Sequence, residues 1–239
     1  PWGHAARTCL VGMRIGEALA LEEETRSQLY YALLLKDAGC SSNAHAATDF
    51  FCTDDHRIKR ELKRADWTDP LRLKIFSLRI AAAGRGPGAR LRQILRMVRT
   101  EPGTGSELIR LRCERGAEIC RTLGFPQATV DAVRSLDEHW DGSGRPERLS
   151  GDAIPVYARI ALLAQVVDVF HSVGGAQAAL AEVRGRRGGW FDPLLVDAFE
   201  RVSGRPGFWT TLAADDIAEA VYALEPGRYE VPLDDDWFD

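Results

Sequence analysis

LDEHWDGSGRP, the stretch from Leu136 to Pro146, separates two helical patterns in the second half of the chain. Asp141 and the two glycines around Ser143 predict a tight turn, because glycine tolerates left-handed backbone and Asp bonds to nearby backbone N–H groups. A new helix is expected to begin close to Pro155. The backbone N–H groups of such a turn can face an anion, or the turn can simply join two packed helices.

Apolar residues recur at helical spacing along nearly the whole chain. Val11 and Ile15 mark the stripe of a first helix that should end near Leu21, and Gly39 is a plausible C-cap for the second helix. Further helices are predicted over 44–53, 57–65, 70–83, 88–99, 106–123, 127–138, 155–172, 175–183, 192–203 and 213–223. Convincing alternating strand patterns are absent, so the predicted fold class is all-α.

Composition and cysteine usage exclude several classes of protein. The 239 residues carry 31 Lys or Arg and 35 Asp or Glu, for a net charge of −4, and 45% are hydrophobic. No apolar run reaches the length of a membrane helix, and the N-terminus lacks a signal-peptide profile. The five cysteines are odd in number and contain no C-x-x-C pair, which argues against a disulfide framework or a zinc knuckle. We therefore expect a cytoplasmic protein without membrane association.

Two segments are strongly charged. Residues 85–115 hold eight Arg and three Glu, a balance of +5. No aromatic interleaving accompanies this basic stretch, so nucleic-acid binding is not expected and a solvated helix face is favoured. Residues 225–239 hold six acids and one Arg, a balance of −5, which is typical of a solvated tail or linker.

Several motifs together resemble the HD-GYP branch of the HD phosphohydrolases. The stretch at 136–146 is similar to the family pattern H-H-E-x-W-D-G-x-G-Y-P, with Glu138, His139, Trp140, Asp141, Gly142 and Gly144 as its loop residues. The family's I-P, A-R-I and D-x-x-D elements are matched at 154–155, 158–160 and 165–168, and its H-x-x-R opening at 4–7. The resemblance implies a helical HD-GYP-like domain over 1–200 with an inserted helical segment at about 41–105. A C-terminal helical extension with the acidic tail would occupy 201–239.

The matched positions differ from the family where its metal ligands lie. Two ligand positions are retained, His4 and Asp37. The other positions of this HD centre carry different residues, namely Lys36 for the HD histidine, Arg112 for the next histidine, Leu136 and Asp137 for the histidine pair, and Gln165 for the downstream aspartate. In the family these ligands hold metal ions that activate water toward a phosphodiester. Lys or Arg at a ligand position places positive charge where the metal charge would sit.

Two functions follow from the resemblance. The first is a catalytically degenerate regulatory, ligand-sensing or dimerisation module of a bacterial signalling protein, without a metal cofactor. Its cationic centre would bind an anionic nucleotide, with a homodimer and a further HD-GYP or output domain as expected partners. The alternative is a metal-dependent phosphodiesterase acting on a cyclic dinucleotide or another phosphodiester. It would use a rebuilt site of His4, Asp37 and Asp137, joined by His139, around one Fe, Mn or Zn ion.

One ion pair is predicted outside this centre. Arg159 stands in the A-R-I element and is expected to pair with Asp141 or Asp168. A buried guanidinium needs such a carboxylate partner, so this pair is interpreted as structural.

Overall fold

The computed structural model describes residues 3–43, 88 and 104–227, and this part of the chain is helical. Its elements in order are α1 (His4–Ala18), α2 (Glu23–Leu35), a 3₁₀ helix (Ala38–Asn43), α3 (Thr104–Thr122), α4 (Gln127–Arg134), a second 3₁₀ helix (Gly151–Ala153), α5 (Val156–Gly185), α6 (Pro193–Ser203), α7 (Phe208–Leu212) and α8 (Ile217–Tyr222). The all-α prediction is confirmed. The helices predicted at 44–53, 57–65 and 70–83, nearly all of 88–99 and the acidic tail beyond residue 227 lie outside the described residues.

Helix α5 is the central element of the domain. Its residues from Ile160 to Val169 are buried without interruption, which explains why this stretch has apolar residues on every face, with Gln165 and Asp168 as its two polar members. By length and composition it could cross a membrane, yet most of its apolar window is buried inside the fold. This burial is typical of a core helix. Helix α1 packs along α5 and also contacts α2, α6, α7 and α8.

Local signals in the sequence explain where several helices begin. Helix α2 begins with Glu23 and Glu24, whose charges favour the positive end of the helix dipole. Helix α6 has Asp192 as its N-cap, whose side chain accepts a hydrogen bond from the backbone N–H of Leu194, and Pro193 in its first turn. The stripe predicted for the first helix is confirmed, since Val11 and Ile15 are fully buried.

Four predicted boundaries were wrong. The first helix ends at Ala18 rather than Leu21, and α4 ends at Arg134, because residues 135–138 turn into the next loop. The helices predicted at 155–172 and 175–183 form one element, kinked where Gly175 has φ 70° and ψ −166°. The helix predicted at 213–223 is shorter in the structure, where α8 (Ile217–Tyr222) occupies that range, and α7 (Phe208–Leu212) precedes it without having been predicted.

A buried carboxylate joins α1 to α5. Asp168 of α5 accepts a hydrogen bond from Arg7 Nε, and its Oδ2 lies 2.5 Å from His4 Nδ1. The Asp168 side chain is 3% exposed, so these α1 residues supply the partners that its charge requires. Burial alone would raise the pKa of Asp168, but the hydrogen bonds and positive charge of His4 and Arg7 outweigh burial and lower that pKa.

Gly39 allows the first 3₁₀ helix to lie directly on α3. A Cβ atom at this position would be 2.0 Å from the carbonyl oxygen of Arg112 and 2.7 Å from the backbone nitrogen of Gly116. Both neighbours are backbone atoms, which cannot swing aside as a flexible side chain can. Gly39 is therefore a site of close approach between two elements rather than the predicted C-cap, which is Lys36.

We predict that Gly39→Ala destabilises the fold by about 1–3 kcal/mol, because the added methyl group forces two backbones apart. For a chain of this size the thermal midpoint should fall by roughly 2–12 °C in a circular-dichroism melt. Gly185→Ala is the matched control, since a Cβ there meets nothing within 4 Å. Equal midpoints for the two variants would contradict this account of Gly39.

We predict that Asp168→Asn lowers the free energy of unfolding by roughly 3 kcal/mol at neutral pH, because Arg7 loses its buried partner. A lowered pKa in the folded state means that the ionised carboxylate stabilises the fold above its unfolded pKa, near 4, and that this contribution is lost as pH falls through the folded value. The difference between wild type and variant in urea unfolding should therefore shrink below about pH 4. Asp152→Asn is the control, because the Asp152 side chain is 90% exposed. A loss no larger than that of the control would refute the prediction.

Candidate functional site

Five polar residues from four segments meet at one end of the helices, and we call them the polar centre. His4 opens α1, Lys36 and Asp37 follow α2, Arg112 lies on α3, and Asp137 lies just after α4. The sequence predicted all five as members of one centre through the family resemblance. A continuous series of contacts links them, running from Asp168 on α5 to Asp137.

The first half of the polar centre combines a histidine with an ion pair. His4 Nδ1 is engaged by Asp168, and its Nε2 lies 3.9 Å from Asp37 Oδ2. Asp37 forms an ion pair with the ammonium group of Lys36, whose side chain is completely buried. Asp37 itself is 32% exposed, so its carboxylate lies between the buried cation and the surface.

The second half is an ion pair flanked by thiols. The guanidinium of Arg112 pairs with Asp137, and each side chain is 21% exposed. Arg112 Nη1 also lies 4.0 Å from Cys40 Sγ, while Cys113 Sγ lies 3.7 Å from Asp137 Oδ2. Burial raises the pKa of the Cys113 thiol more than the neighbouring Arg112 lowers it, so the thiol is neutral at physiological pH. Cys40 completes the link between the two halves, since its thiol donates to Asp37 Oδ1 at 3.5 Å.

The donor set of the polar centre does not fit a metal ion of the HD kind. Among the residues that the structure describes, no three His, Cys, Asp or Glu side chains converge as ligands. His4 and Asp37 are neighbours, but Asp137 is engaged by Arg112, so the predicted three-ligand site is not assembled. The described residues therefore do not assemble the rebuilt single-metal site, and the metal ion itself stays a prediction.

Gln165 occupies the position that the resemblance assigns to the downstream metal aspartate. Its side chain is buried, and its Oε1 atom has no hydrogen-bond partner among the described residues. A neutral amide oxygen is a weaker ligand for a divalent ion than a carboxylate. Gln165 lies one helical turn before Asp168 on α5 and brings no negative charge to that turn.

Glu138 and His139 of the signature loop are structural. Both are buried, and Glu138 Oε1 accepts hydrogen bonds from the backbone N–H groups of residues 147 and 148 at 2.5 and 3.1 Å. Burial raises the pKa of Glu138 more than these hydrogen bonds lower it. The His139 ring stacks on Trp190 at 4.1 Å and its Nδ1 lies 2.9 Å from Ser143 Oγ. His139 is thus committed to the loop, not to the predicted metal site.

The remaining loop residues close the tight turn that the sequence predicted. Asp141 Oδ1 accepts from the backbone N–H of Ser143 at 2.9 Å, and Gly142 has φ 80°. A Cβ on Gly144 would lie 2.2 Å from the backbone nitrogen of residue 139. The N–H groups of residues 142, 143 and 145 all donate within the chain, the last to the Asp137 carbonyl. The turn therefore holds Asp137 in place instead of presenting these donors to an anion.

Trp140 and Arg159 pack together, but the carboxylate partners of Arg159 differ from those predicted. The Arg159 guanidinium lies over the Trp140 ring, 5.4 Å from its centroid. It donates to Asp192 at 2.8 Å and to Asp152 at 3.0 Å, and not to Asp141 or Asp168. The reason is geometric, since Asp192 caps the start of α6 beside α5 while Asp168 is taken by α1. Arg159 thus joins α5 to α6.

Sequence reasoning missed two features of the polar centre. Arg7 was noted only as part of the opening motif, although it is one of the two partners of Asp168. The three-residue spacing of His4 and Arg7, which puts both on one helix face, was the available signal. The thiol neighbours of Arg112 were missed because Cys40 and Cys113 lie 73 positions apart and no motif joins them.

Comparison with known proteins identifies relatives. The model of a family described as "HD domain" matches residues 92–195. The chain is 41% identical over 235 residues to the 3'3'-cGAMP-specific phosphodiesterase 3 of Vibrio cholerae, a match that covers 98% of the chain and 51% of that relative. It is also 41% identical over 80 residues to a cyclic di-GMP phosphodiesterase response regulator of Xanthomonas campestris pv. campestris, which covers 30% of the chain and 21% of that protein.

A solved structure of a phosphodiesterase also has the same fold as this chain. The crystal structure of a cyclic GMP-AMP specific phosphodiesterase of Vibrio cholerae superimposes with a TM-score of 0.72 at 38% identity, covering 99% of this chain and 52% of that one. These two matches cover nearly all of this chain, which therefore spans about half the length of each of the two proteins.

These matches contradict the first function derived from the sequence. A regulatory, catalytically degenerate module was expected because metal ligands are replaced, but nearly the whole chain is 41% identical to a curated phosphodiesterase. The finding favours the alternative, an HD-type phosphodiesterase, and does not support a pseudoenzyme. The sequence matches and the fold together show a domain of the HD phosphohydrolase superfamily in this chain.

Proposed function

We propose that this chain hydrolyses a phosphodiester bond of a cyclic dinucleotide of the 3'3'-cGAMP kind. The observation that carries the proposal is the 41% identity to the 3'3'-cGAMP-specific phosphodiesterase over 98% of the chain. The reaction adds water to one phosphorus atom and breaks one P–O bond, so the ring opens to a linear dinucleotide. The site must therefore move a proton and stabilise charge on the phosphoryl oxygens.

The polar centre contains a residue arranged for proton transfer. Asp168 holds His4 through Nδ1 at 2.5 Å, which favours the tautomer whose proton is on that atom. The ring's Nε2 then faces Asp37, at 3.9 Å, on the side of the polar centre that reaches the surface. In this arrangement a proton can be taken from water, or returned to the leaving oxygen, at Nε2. Asp168 and Arg7 act as positioning residues for the imidazole.

The polar centre also offers positive charge. Arg112 is partly exposed, and guanidinium groups bind phosphate oxygens through paired N–H donors. Lys36 is fully buried and acts through its ion pair with Asp37. No step is assigned to a metal ion, because the described residues do not assemble a ligand set for one. The predicted homodimer, the further HD-GYP or output domain, and the cytoplasmic location stay predictions.

We predict that the purified 239-residue chain opens 3'3'-cGAMP to a linear dinucleotide. Ion-pair chromatography separates the cyclic substrate from the linear product and so measures the rate. His4→Gln should lower the rate about 100-fold, the usual size of a lost general acid or base. Glu118→Gln is the control, because that side chain is exposed on α3 and pairs with Arg121, away from the polar centre. A folded chain that opens neither this substrate nor cyclic di-GMP would disprove the proposed function.

A further inference from the structure

We infer that the polar centre binds the substrate phosphate through Arg112, a cation belonging to the protein, and not through a resident metal ion. This inference rests on the proposed function and specifies how its site recognises the substrate. The chain resembles metal-dependent enzymes, but its polar centre carries two cations, Lys36 and Arg112, where metal ligands are expected. The ligand is the phosphodiester anion of a cyclic dinucleotide.

Arg112 has more donors than strong acceptors around it. A guanidinium carries five N–H groups in a planar fork. Among the described residues, one carboxylate, that of Asp137, forms an ion pair with it. The charge of Asp37 also acts on the guanidinium, and its other polar neighbours are the thiols of Cys40 and Cys113. Thiol sulfur is a weak acceptor, and the Cys40 contact is at 4.0 Å. Phosphate oxygens are the stronger partners that this geometry lacks, and they bind guanidinium in a two-point mode.

The backbone around Arg112 holds its side chain at the centre. Gly39 lies against the Arg112 carbonyl, so α3 cannot move away from or toward the 3₁₀ helix without a clash or a gap. Asp137, the carboxylate opposite, is held by the hydrogen bond from the Arg145 N–H to its carbonyl at 2.9 Å. A binding residue fixed in this way loses little freedom when the ligand arrives.

The charges of the polar centre are balanced without a metal. Lys36 pairs with Asp37, Arg112 pairs with Asp137, and Arg7 pairs with Asp168. A metal ion would have to displace at least one of these cations to gain a carboxylate ligand. A phosphate needs no such exchange, because it can use N–H groups of Arg112 other than those that face Asp137.

The inference is tested by titrating 3'3'-cGAMP into the full chain in the presence of EDTA and following the heat of binding. Binding should survive the chelator. Arg112→Lys should weaken it about tenfold, since the charge remains but the planar fork is lost, and Arg112→Ala about 30- to 100-fold. Arg121→Ala, an exposed arginine of the same helix paired with Glu118, is the control and should change affinity less than twofold. A melting curve of each variant establishes that it is folded.

Asp137→Asn separates the two explanations most sharply. If Arg112 binds phosphate, removing the competing carboxylate leaves affinity equal or stronger. If Asp137 is a metal ligand, the same change abolishes binding. Affinity that appears only after Fe²⁺, Mn²⁺ or Zn²⁺ is added back to the chelated protein, or that is lost in Asp137→Asn, overturns the inference.

The hydrolysis assay distinguishes this inference from the proposed function. Binding in EDTA that depends on Arg112, without ring opening, would refute the proposed function and leave the phosphate site standing. Ring opening that requires an added metal ion would support the proposed function and refute the metal-free phosphate site.

Discussion

The buried carboxylate of Asp168 is the constraint on which the site depends. It lies on the central helix, at 3% exposure, and must find positive or donating partners there. Both partners come from the first turns of α1, so the carboxylate fixes the position of that helix on α5 as well as the orientation of the His4 ring. The same interaction therefore serves the packing of the domain and the geometry of the polar centre.

The sequence predicted the class of the fold, and it named the five residues of the polar centre together with Gln165. Helical periodicity shows in residues such as Val11 and Ile15, which are fully buried. The five residues of the polar centre were named through their places in family-like motifs, and the structure brings them together. Helix ends were less predictable, because α4 stops early to let residues 135–138 enter the signature loop. That choice is made by tertiary packing, which local propensity does not record.

Interactions between distant segments could not be predicted from spacing. Arg159 was assigned to Asp141 or Asp168, yet Asp192 is nearer because it caps the next helix. Gly39 was predicted to be a helix cap, whereas its lack of a side chain permits contact with α3, 73 positions along the chain.

The first functional conclusion was also wrong. The replacement of metal ligands by Lys36 and Arg112 was taken as loss of activity, although replacement of a ligand set does not by itself show that the reaction is lost. The 41% identity to a curated phosphodiesterase contradicts that step.

The proposed account treats the polar centre as a metal-free site in which a positioned imidazole moves a proton and a guanidinium holds the phosphate. The most direct measurement is the rate of 3'3'-cGAMP opening by chain whose metal content has been determined in the same sample by elemental mass spectrometry. The account predicts turnover at far below one metal ion per chain, unchanged by chelator. Turnover that rises and falls in proportion to bound iron, manganese or zinc would contradict it.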